Sequence, residues 1–169
     1  GDQAVVKKIS ELEYYGGKTQ TVEKRNKGKS RIIAHALKQY IKQSSRVIIM
    51  GHRNPDMDCF GAALGISRIA AAEKKDSYIV INSYNEALTS IYQAAKETED
   101  YEFITSEKAV TLYDTKTLVV VLDTHRPGLV ECPELLSAGR LVVIDHHRKA
   151  VDYIDSSVIF YNETAASSA

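Results

Sequence analysis

From residue 46 onward, short runs of apolar residues alternate with longer segments of helical spacing. The runs are continuous, as in Val47–Met50 and Leu118–Leu122, which is typical of strands covered on both faces. Between them, the spacing of apolar residues predicts helices over about 58–74 and 86–96. Further strands are predicted over 78–81 and 141–144, and a fifth over Val158–Tyr161. The alternation predicts an α/β fold with a mostly parallel, doubly wound sheet.

Residues 1–45 have a different pattern. Strand-like pieces occur at 5–6 and 12–15, and a polar, basic stretch over 24–31 predicts a solvated linker. Ser30 is then a candidate N-cap, because the apolar residues that follow keep helical spacing; these are Ile33, Ala36, Leu37, Tyr40 and Ile41. The chain therefore divides into an N-terminal piece over 1–22, a linker and helix over 23–45, and the α/β region over 46–169.

Composition and charge narrow the function classes. Apolar residues make up 44% and charged residues 26%, the balance of a globular protein that buries a core. Lys+Arg and Asp+Glu are 22 each, so the formal net charge is zero. This charge gives no electrostatic reason to expect binding of bulk nucleic acid, although it does not exclude a local basic patch. No apolar run approaches the roughly 18–20 residues that span a bilayer, so no membrane contact is expected in this region.

Three of the predicted strands run directly into clusters of acidic residues and histidines. In parallel sheets the carboxyl ends of the strands share one edge, where ligands bind. Each cluster taken alone could be a turn or a helix cap, but three at successive strand ends are hard to explain in that way. The clusters contain His52, Asn54, Pro55, Asp56 and Asp58 after the first strand, Asp123, Thr124 and His125 after the third, and Asp145, His146 and His147 after the fourth.

The chemistry of these side chains points to metal ions. Four carboxylates in one cleft repel one another unless they are protonated or neutralised by cations, and protonation at neutral pH is costly. Mixed carboxylate and imidazole ligands suit Mn²⁺, Fe²⁺ or Zn²⁺, and two such ions sharing a carboxylate form a known clamp on phosphoryl groups. Asp123 is the candidate for the shared ligand, while Asp56 and Asp58 could each reach a different ion.

With these motifs, residues 46–169 resemble the front half of a DHH-family phosphoesterase domain. Four sequence segments are most similar to those of the membrane-anchored cyclic di-AMP phosphodiesterases. These segments are GHRNPDMDCFGAALGI, VVVLDTHRPG, VVIDHHR and ETAASSA. Residues 1–22 resemble the end of the GGDEF domain of those bacterial proteins. The resemblance implies the cytoplasmic region of a membrane-anchored bacterial protein, with a cyclic dinucleotide as substrate, and it leaves a homodimer open.

The resemblance also implies roles for individual residues. A complete site would hold two Mn²⁺ ions, one on His52, Asp56 and Asp123, the other on Asp58, Asp123 and His146. Asp145 would support the ligands and His147 would contact the phosphoryl group. Arg126 and Arg148 are further candidates, because a guanidinium suits phosphate oxygens.

Two parts of the family pattern are not found in this sequence. These are the fourth motif, with a further aspartate for the second metal, and the glycine-rich substrate-binding domain. We therefore expect a fragment of a phosphodiesterase that opens cyclic di-AMP to the linear dinucleotide, with weak metal binding and little activity by itself. The alternatives are a nanoRNase or 3′-phosphoadenosine phosphatase, a manganese pyrophosphatase, or a non-catalytic nucleotide-sensing module.

Overall fold

The computed structural model describes residues 5–8, 11–14, 22–147, 151–154 and 158–161. Its helices are α1 (Val22–Gln43), α2 (Met57–Ala72), α3 (Thr89–Glu97) and α4 (Ser106–Leu112). Its strands are β1 (Val5–Lys8), β2 (Glu11–Tyr14), β3 (Val47–Met50), β4 (Ser77–Val80), β5 (Glu102–Ile104), β6 (Leu118–Leu122), β7 (Leu141–Asp145) and β8 (Val158–Tyr161). Short 3-10 turns lie at Glu86–Leu88 and Pro133–Ser137.

Six strands form one parallel sheet in the order β5-β4-β3-β6-β7-β8. The prediction of a parallel α/β sheet is therefore confirmed. From β3 the chain builds outward through β4 and β5, then crosses back to place β6 on the other side of β3. The boundary between β3 and β6 is thus a topological switch point, the position where open α/β sheets bind ligands. Ile49 lies opposite Val120, and Val121 opposite Val143, so the carboxyl ends of β3, β6 and β7 are level.

The core lies on both faces of this sheet, as the continuous apolar runs predict. All residues of β3 and β6 are buried, and successive side chains point to opposite faces. One face packs against α1 and α2, through residues that include Leu37, Ile41, Ala63, Ile66 and Ala70. The other face packs against α4 and the segment after β6, through residues that include Ala109, Val130, Cys132 and Leu135.

Some boundaries differ from the sequence prediction. Helix α1 begins at Val22, so the basic stretch 24–31 is helical rather than a linker, and Ser30 lies inside the helix instead of capping it. Strand β5 and helix α4 were not predicted. Helix α1 is the longest described helix at 22 residues, but it is too polar to cross a bilayer, and no other helix in the described ranges has the length and apolarity to do so.

The first two strands form a separate antiparallel pair, in which Val5 lies opposite Tyr14 and Lys8 opposite Glu11. This agrees with the strand-like pieces that the sequence indicates near positions 5 and 12. The assignment of residues 1–22 to a GGDEF-like domain stays a prediction.

Candidate metal centre

The loop after β3 is held in place by the segment that follows β6. His52 forms an antiparallel bridge with Val130, and the Glu131 N–H donates to the carbonyl of Gly51 at 2.9 Å. His52 Nδ1 donates to the carbonyl of Arg53 at 3.0 Å, which leaves Nε2 to face the cleft. Metal-binding histidines are commonly fixed by this kind of bond from the other ring nitrogen.

Asp56 and Asp58 lie at the start of α2. Asp56 is its N-cap, and its Oδ1 accepts from the backbone N–H groups of Asp58 and Cys59, each at 3.0 Å. Asn54 has a left-handed backbone, with φ at 52°, which asparagine tolerates better than most residues.

Asp123 lies at the centre of the cluster. It follows β6 directly, has φ at 56°, and is 8% exposed. A left-handed backbone at a non-glycine residue costs about 1–3 kcal/mol and is retained where the surrounding structure requires it. Its N–H donates to the carbonyl of Ile144 at 2.9 Å, so the strained turn is tied to the end of β7.

The two oxygens of Asp123 face two different sets of side chains. Oδ2 lies 3.7 Å from His52 Nε2, which is itself 3.9 Å from Asp56 Oδ1. Oδ1 lies 3.1 Å from His146 Nε2, which is 3.5 Å from Asp58 Oδ2. The structure therefore brings together the two ligand sets that the resemblance implies, with Asp123 between them.

The donor set fits divalent cations. Asp58 Oδ1 and Asp123 Oδ1 are buried, and among the described residues neither accepts a hydrogen bond of acceptable geometry, although His146 Nε2 lies 3.1 Å from Asp123 Oδ1. Buried carboxylate oxygens without partners are costly, and a cation would relieve that cost. Ligand atoms within 4.8 Å of one another form two groups, His52, Cys59 and Asp123, and Asp123, His146 and His147. Cys59 was not predicted near the site, since nothing in the sequence marks a cysteine of the first turn of α2 as facing a histidine.

Asp145 is buried and accepts hydrogen bonds from the imidazoles of His125 and His147. Its Oδ1 accepts from the N–H and from Nδ1 of His147, at 3.1 and 2.7 Å, and its Oδ2 accepts from Nδ1 of His125. Burial alone would raise the pKa of Asp145, but the bonds from His125 and His147 bring it below its usual range. Asp145 is therefore ionised at neutral pH and orients the histidines around it.

The pKa of His52 is shifted upward, in contrast to the lowered pKa of Asp145. The pKa of His52 rises to about 9, chiefly through the neighbouring carboxylate of Asp123, while partial burial opposes the rise. In the metal-free protein, His52 is thus protonated near neutral pH and neutralises part of the acidic charge around it.

Of the two arginines predicted to bind phosphate, the structure describes Arg126 alone. The guanidinium of Arg126 pairs with Asp152 at 3.4 Å, and both side chains are more than half exposed. Among the ion pairs of the described residues, none joins Arg126 to the acidic cluster. Arg148 lies outside the described residues.

His125 belongs to a motif that the sequence singles out, but the sequence does not show that its side chain is buried.

The fold and the site together define a class, an α/β protein with an acid and histidine cluster at its sheet switch point. A family model described as "DHH family, N-terminal domain" matches residues 46–169. Over 99% of its length the chain is 43% identical to the cyclic-di-AMP phosphodiesterase GdpP of Bacillus subtilis (strain 168). It is 39% identical to the cyclic-di-AMP phosphodiesterase PdeA of Listeria monocytogenes serotype 1/2a (strain 10403S), again over 99% of its length. The chain belongs to the DHH family.

The chain covers 26% of the length of each of these two relatives. A solved structure of an exopolyphosphatase-related protein from Bacteroides fragilis superposes with a TM-score of 0.56 at 16% identity. That match covers 82% of this chain and 40% of the other, and it supports the fold alone.

Proposed function

We propose that this chain supplies the metal-binding part of a phosphodiesterase that hydrolyses cyclic di-AMP to the linear dinucleotide. The observation that carries the proposal is Asp123, whose two oxygens face separate histidine and carboxylate pairs at the switch point of the sheet. The relatives named for cyclic di-AMP hydrolysis, which match nearly the whole chain, support the choice of substrate. The activity is assigned to the longer protein, because the chain spans about a quarter of those relatives.

The proposed ligands follow the two sets around Asp123. One Mn²⁺ would be held by His52, Asp56 and Asp123, and the second by Asp58, Asp123 and His146. Imidazole and carboxylate ligands suit manganese, although iron and zinc accept the same donors. When bound, the two cations would neutralise phosphate charge and generate a nucleophile from water at neutral pH.

The remaining residues would act on the substrate and its surroundings. His147 is 57% exposed and, held by Asp145, would donate from Nε2 to a phosphoryl oxygen. Arg126 would bind a second phosphate after exchanging its exposed partner Asp152, and Arg148 would assist it. No bulk nucleic acid or membrane contact is proposed for this region.

The wider organisation is also a proposal. Residues 1–22 would end a GGDEF-like domain, 23–45 would connect it, and 46–169 would begin the phosphoesterase domain. The region would lie on the cytoplasmic side of a membrane-anchored bacterial protein, and dimerisation is compatible with this arrangement.

Hydrolysis assays on the full-length protein test the activity. With Mn²⁺ present, cyclic di-AMP should be converted to the linear dinucleotide, and short RNA and pyrophosphate should react more slowly. Hydrolysis of pyrophosphate alone, or preference for short RNA, would identify a different phosphoesterase. Metal binding without hydrolysis would indicate a nucleotide-sensing module.

Metal counting tests the ligand assignment independently. Full-length wild-type protein should bind two Mn²⁺ ions, Asp58→Asn should bind one, and Asp123→Asn should bind none. Asp100→Asn is the matched control, because its carboxylate pairs with Arg68 on the surface at 3.0 Å and does not belong to the cluster. Two ions retained in Asp123→Asn would show that Asp123 is not the shared ligand.

A further inference from the structure

His125 is a buried histidine to which the proposed chemistry gives no role. It is 2% exposed, so it cannot touch a substrate in the cleft. The backbone around it is fixed, since its carbonyl accepts from the N–H of Ile154 at 2.7 Å and the Thr124 side chain accepts from the N–H of Arg126 at 3.2 Å. Any contribution of His125 to the reaction must therefore pass through another residue.

Asp145 connects His125 to the cleft, because it uses different oxygens for its two imidazole partners. Oδ2 accepts from Nδ1 of His125, while Oδ1 accepts from the N–H and Nδ1 of His147. The side chain of Asp145 is fully buried, whereas that of His147 is 57% exposed. Asp145 therefore links a buried ring, that of His125, to the more exposed ring of His147.

The protonation of the His147 ring follows from this geometry. An ionised carboxylate only accepts hydrogen bonds, so a His147 Nδ1 that is 2.7 Å from Asp145 Oδ1 must carry the proton. Nε2 is then the nitrogen directed away from Asp145. If Asp145 rotated, Oδ1 would leave Nδ1, and the ring could take the other tautomer or turn toward solvent.

We propose that His125 is a positioning residue which, by holding Oδ2 of Asp145, fixes the His147 ring with Nδ1 protonated and Nε2 presented to a substrate phosphoryl oxygen. The substrate contact rests on the proposed function, whereas the tautomer and orientation of the ring do not. Carboxylate and histidine pairs that orient a functional histidine typically change activity or metal affinity by about 10–100-fold when they are broken.

Two variants separate this role from simple core packing. His125→Asn places an amide N–H where Nδ1 of the ring stood, so the bond to Asp145 can be kept. His125→Leu fills a similar volume without a donor. Ser67→Ala is the matched control for loss of a buried hydrogen bond, because Ser67 Oγ lies 2.9 Å from Ser77 Oγ and both residues are outside the cluster.

The first measurement needs no substrate. Long-range proton–nitrogen NMR of the metal-free chain reports which nitrogen of His147 carries the proton. We expect protonated Nδ1 in wild type, His125→Asn and Ser67→Ala, and a mixture of tautomers in His125→Leu. An unchanged His147 ring in folded His125→Leu would overturn the proposal. If His125→Leu does not fold, the spectra of wild type and His125→Asn still test the proposal. A His147 ring protonated on Nε2 in either protein would overturn the proposal.

The second measurement uses the full-length, Mn²⁺-loaded protein. His125→Leu should lower kcat for cyclic di-AMP by about 10–100-fold with little change in KM and in bound Mn²⁺, and His125→Asn should recover most of the rate. Equal losses in both variants would show that packing matters and the hydrogen bond does not. If wild type fails to hydrolyse cyclic di-AMP, the proposed function falls, while the tautomer measurement still decides the role of His125.

Discussion

At the scale of single residues, Gly51 allows α2 to begin close to the end of β3. A Cβ on Gly51 would lie 2.0 Å from Cys59 Sγ and 3.3 Å from the carbonyl oxygen of Leu122. The thiol of Cys59 occupies the space that a side chain at position 51 would need. Because Cys59 is buried, with 2% exposure, its side chain cannot turn away freely.

Gly51→Ala should therefore destabilise the protein by about 1–3 kcal/mol, through forced movement of the Cys59 side chain. Removing the thiol should relieve this cost, so Gly51→Ala with Cys59→Ala should be more stable than the sum of the single losses predicts. Urea unfolding of the four proteins measures the coupling. Strict additivity would mean that the close approach at Cys59 is not the cause.

As a proposed metal ligand, His52 should make metal affinity depend on pH. Its raised pKa, about 9, means that its protonated form stabilises the metal-free fold below its ordinary value of 6.5, and that this contribution is lost as pH rises through about 9. A histidine must be neutral to bind a metal ion, so an ion bound to His52 would displace one proton. Mn²⁺ affinity should then rise about tenfold per pH unit between neutral pH and 9.

Calorimetric titration with Mn²⁺ at several pH values measures this dependence. His35→Asn, which changes an exposed histidine of α1, should keep the same slope. His52→Asn should lose both the slope and most of the affinity. An affinity that is independent of pH in wild type would contradict the assignment of His52 as a ligand.

At the scale of elements, the first turn of α2 serves folding and the candidate site together. Asp56 caps the helix through Oδ1, and its carboxylate also lies 3.9 Å from His52 Nε2. Asparagine caps helices as well as aspartate does, but it lacks the charge that a metal ligand contributes.

Asp56→Asn should therefore keep thermal stability in the metal-free protein and weaken Mn²⁺ binding. Asp56→Ala should weaken binding and also destabilise the fold by about 1 kcal/mol, because two backbone N–H groups lose their acceptor. Thermal unfolding with a chelator present, together with Mn²⁺ titration, separates the two effects. Equal stability of the two variants would show that the cap contributes little.

The sequence predicts the two central strands, β3 and β6, because all of their residues are apolar and buried. The runs VIIM and LVVVL are covered on both faces, so β3 and β6 could be predicted within a residue of their bounds. Strand β5, only EFI at the edge of the sheet, and the seven-residue α4 are too short to show a period. The start of α1 was missed because 24–31 has no apolar face, although the backbone there is helical.

At the scale of the whole molecule, the convergence of the three acid and histidine clusters could be predicted, because parallel strands end at a common edge. The sequence places acids after β3, β6 and β7, and the sheet makes these strands neighbours. The sharing of Asp145 between His125 and His147 could not be predicted, since it depends on ring orientations across two strands. The pairing of Arg126 with Asp152 depends in the same way on how the loops after β6 and β7 approach each other.

Because Asp123 follows β6 and lies between the proposed ligands that follow β3 and β7, metal binding should stabilise the molecule as a unit. An ion that binds only the folded state at a hundredfold excess over its Kd adds about 2.7 kcal/mol to the free energy of unfolding. For a protein of this length, that gain raises Tm by about 5–10 °C. Thermal unfolding with Mn²⁺ and with a chelator measures the shift, which Asp100→Asn should keep. Asp123→Asn removes the charge that both ligand sets share, so it should abolish the shift in Tm. A Tm shift of wild-type size in that variant would place the stabilising ion elsewhere in the chain.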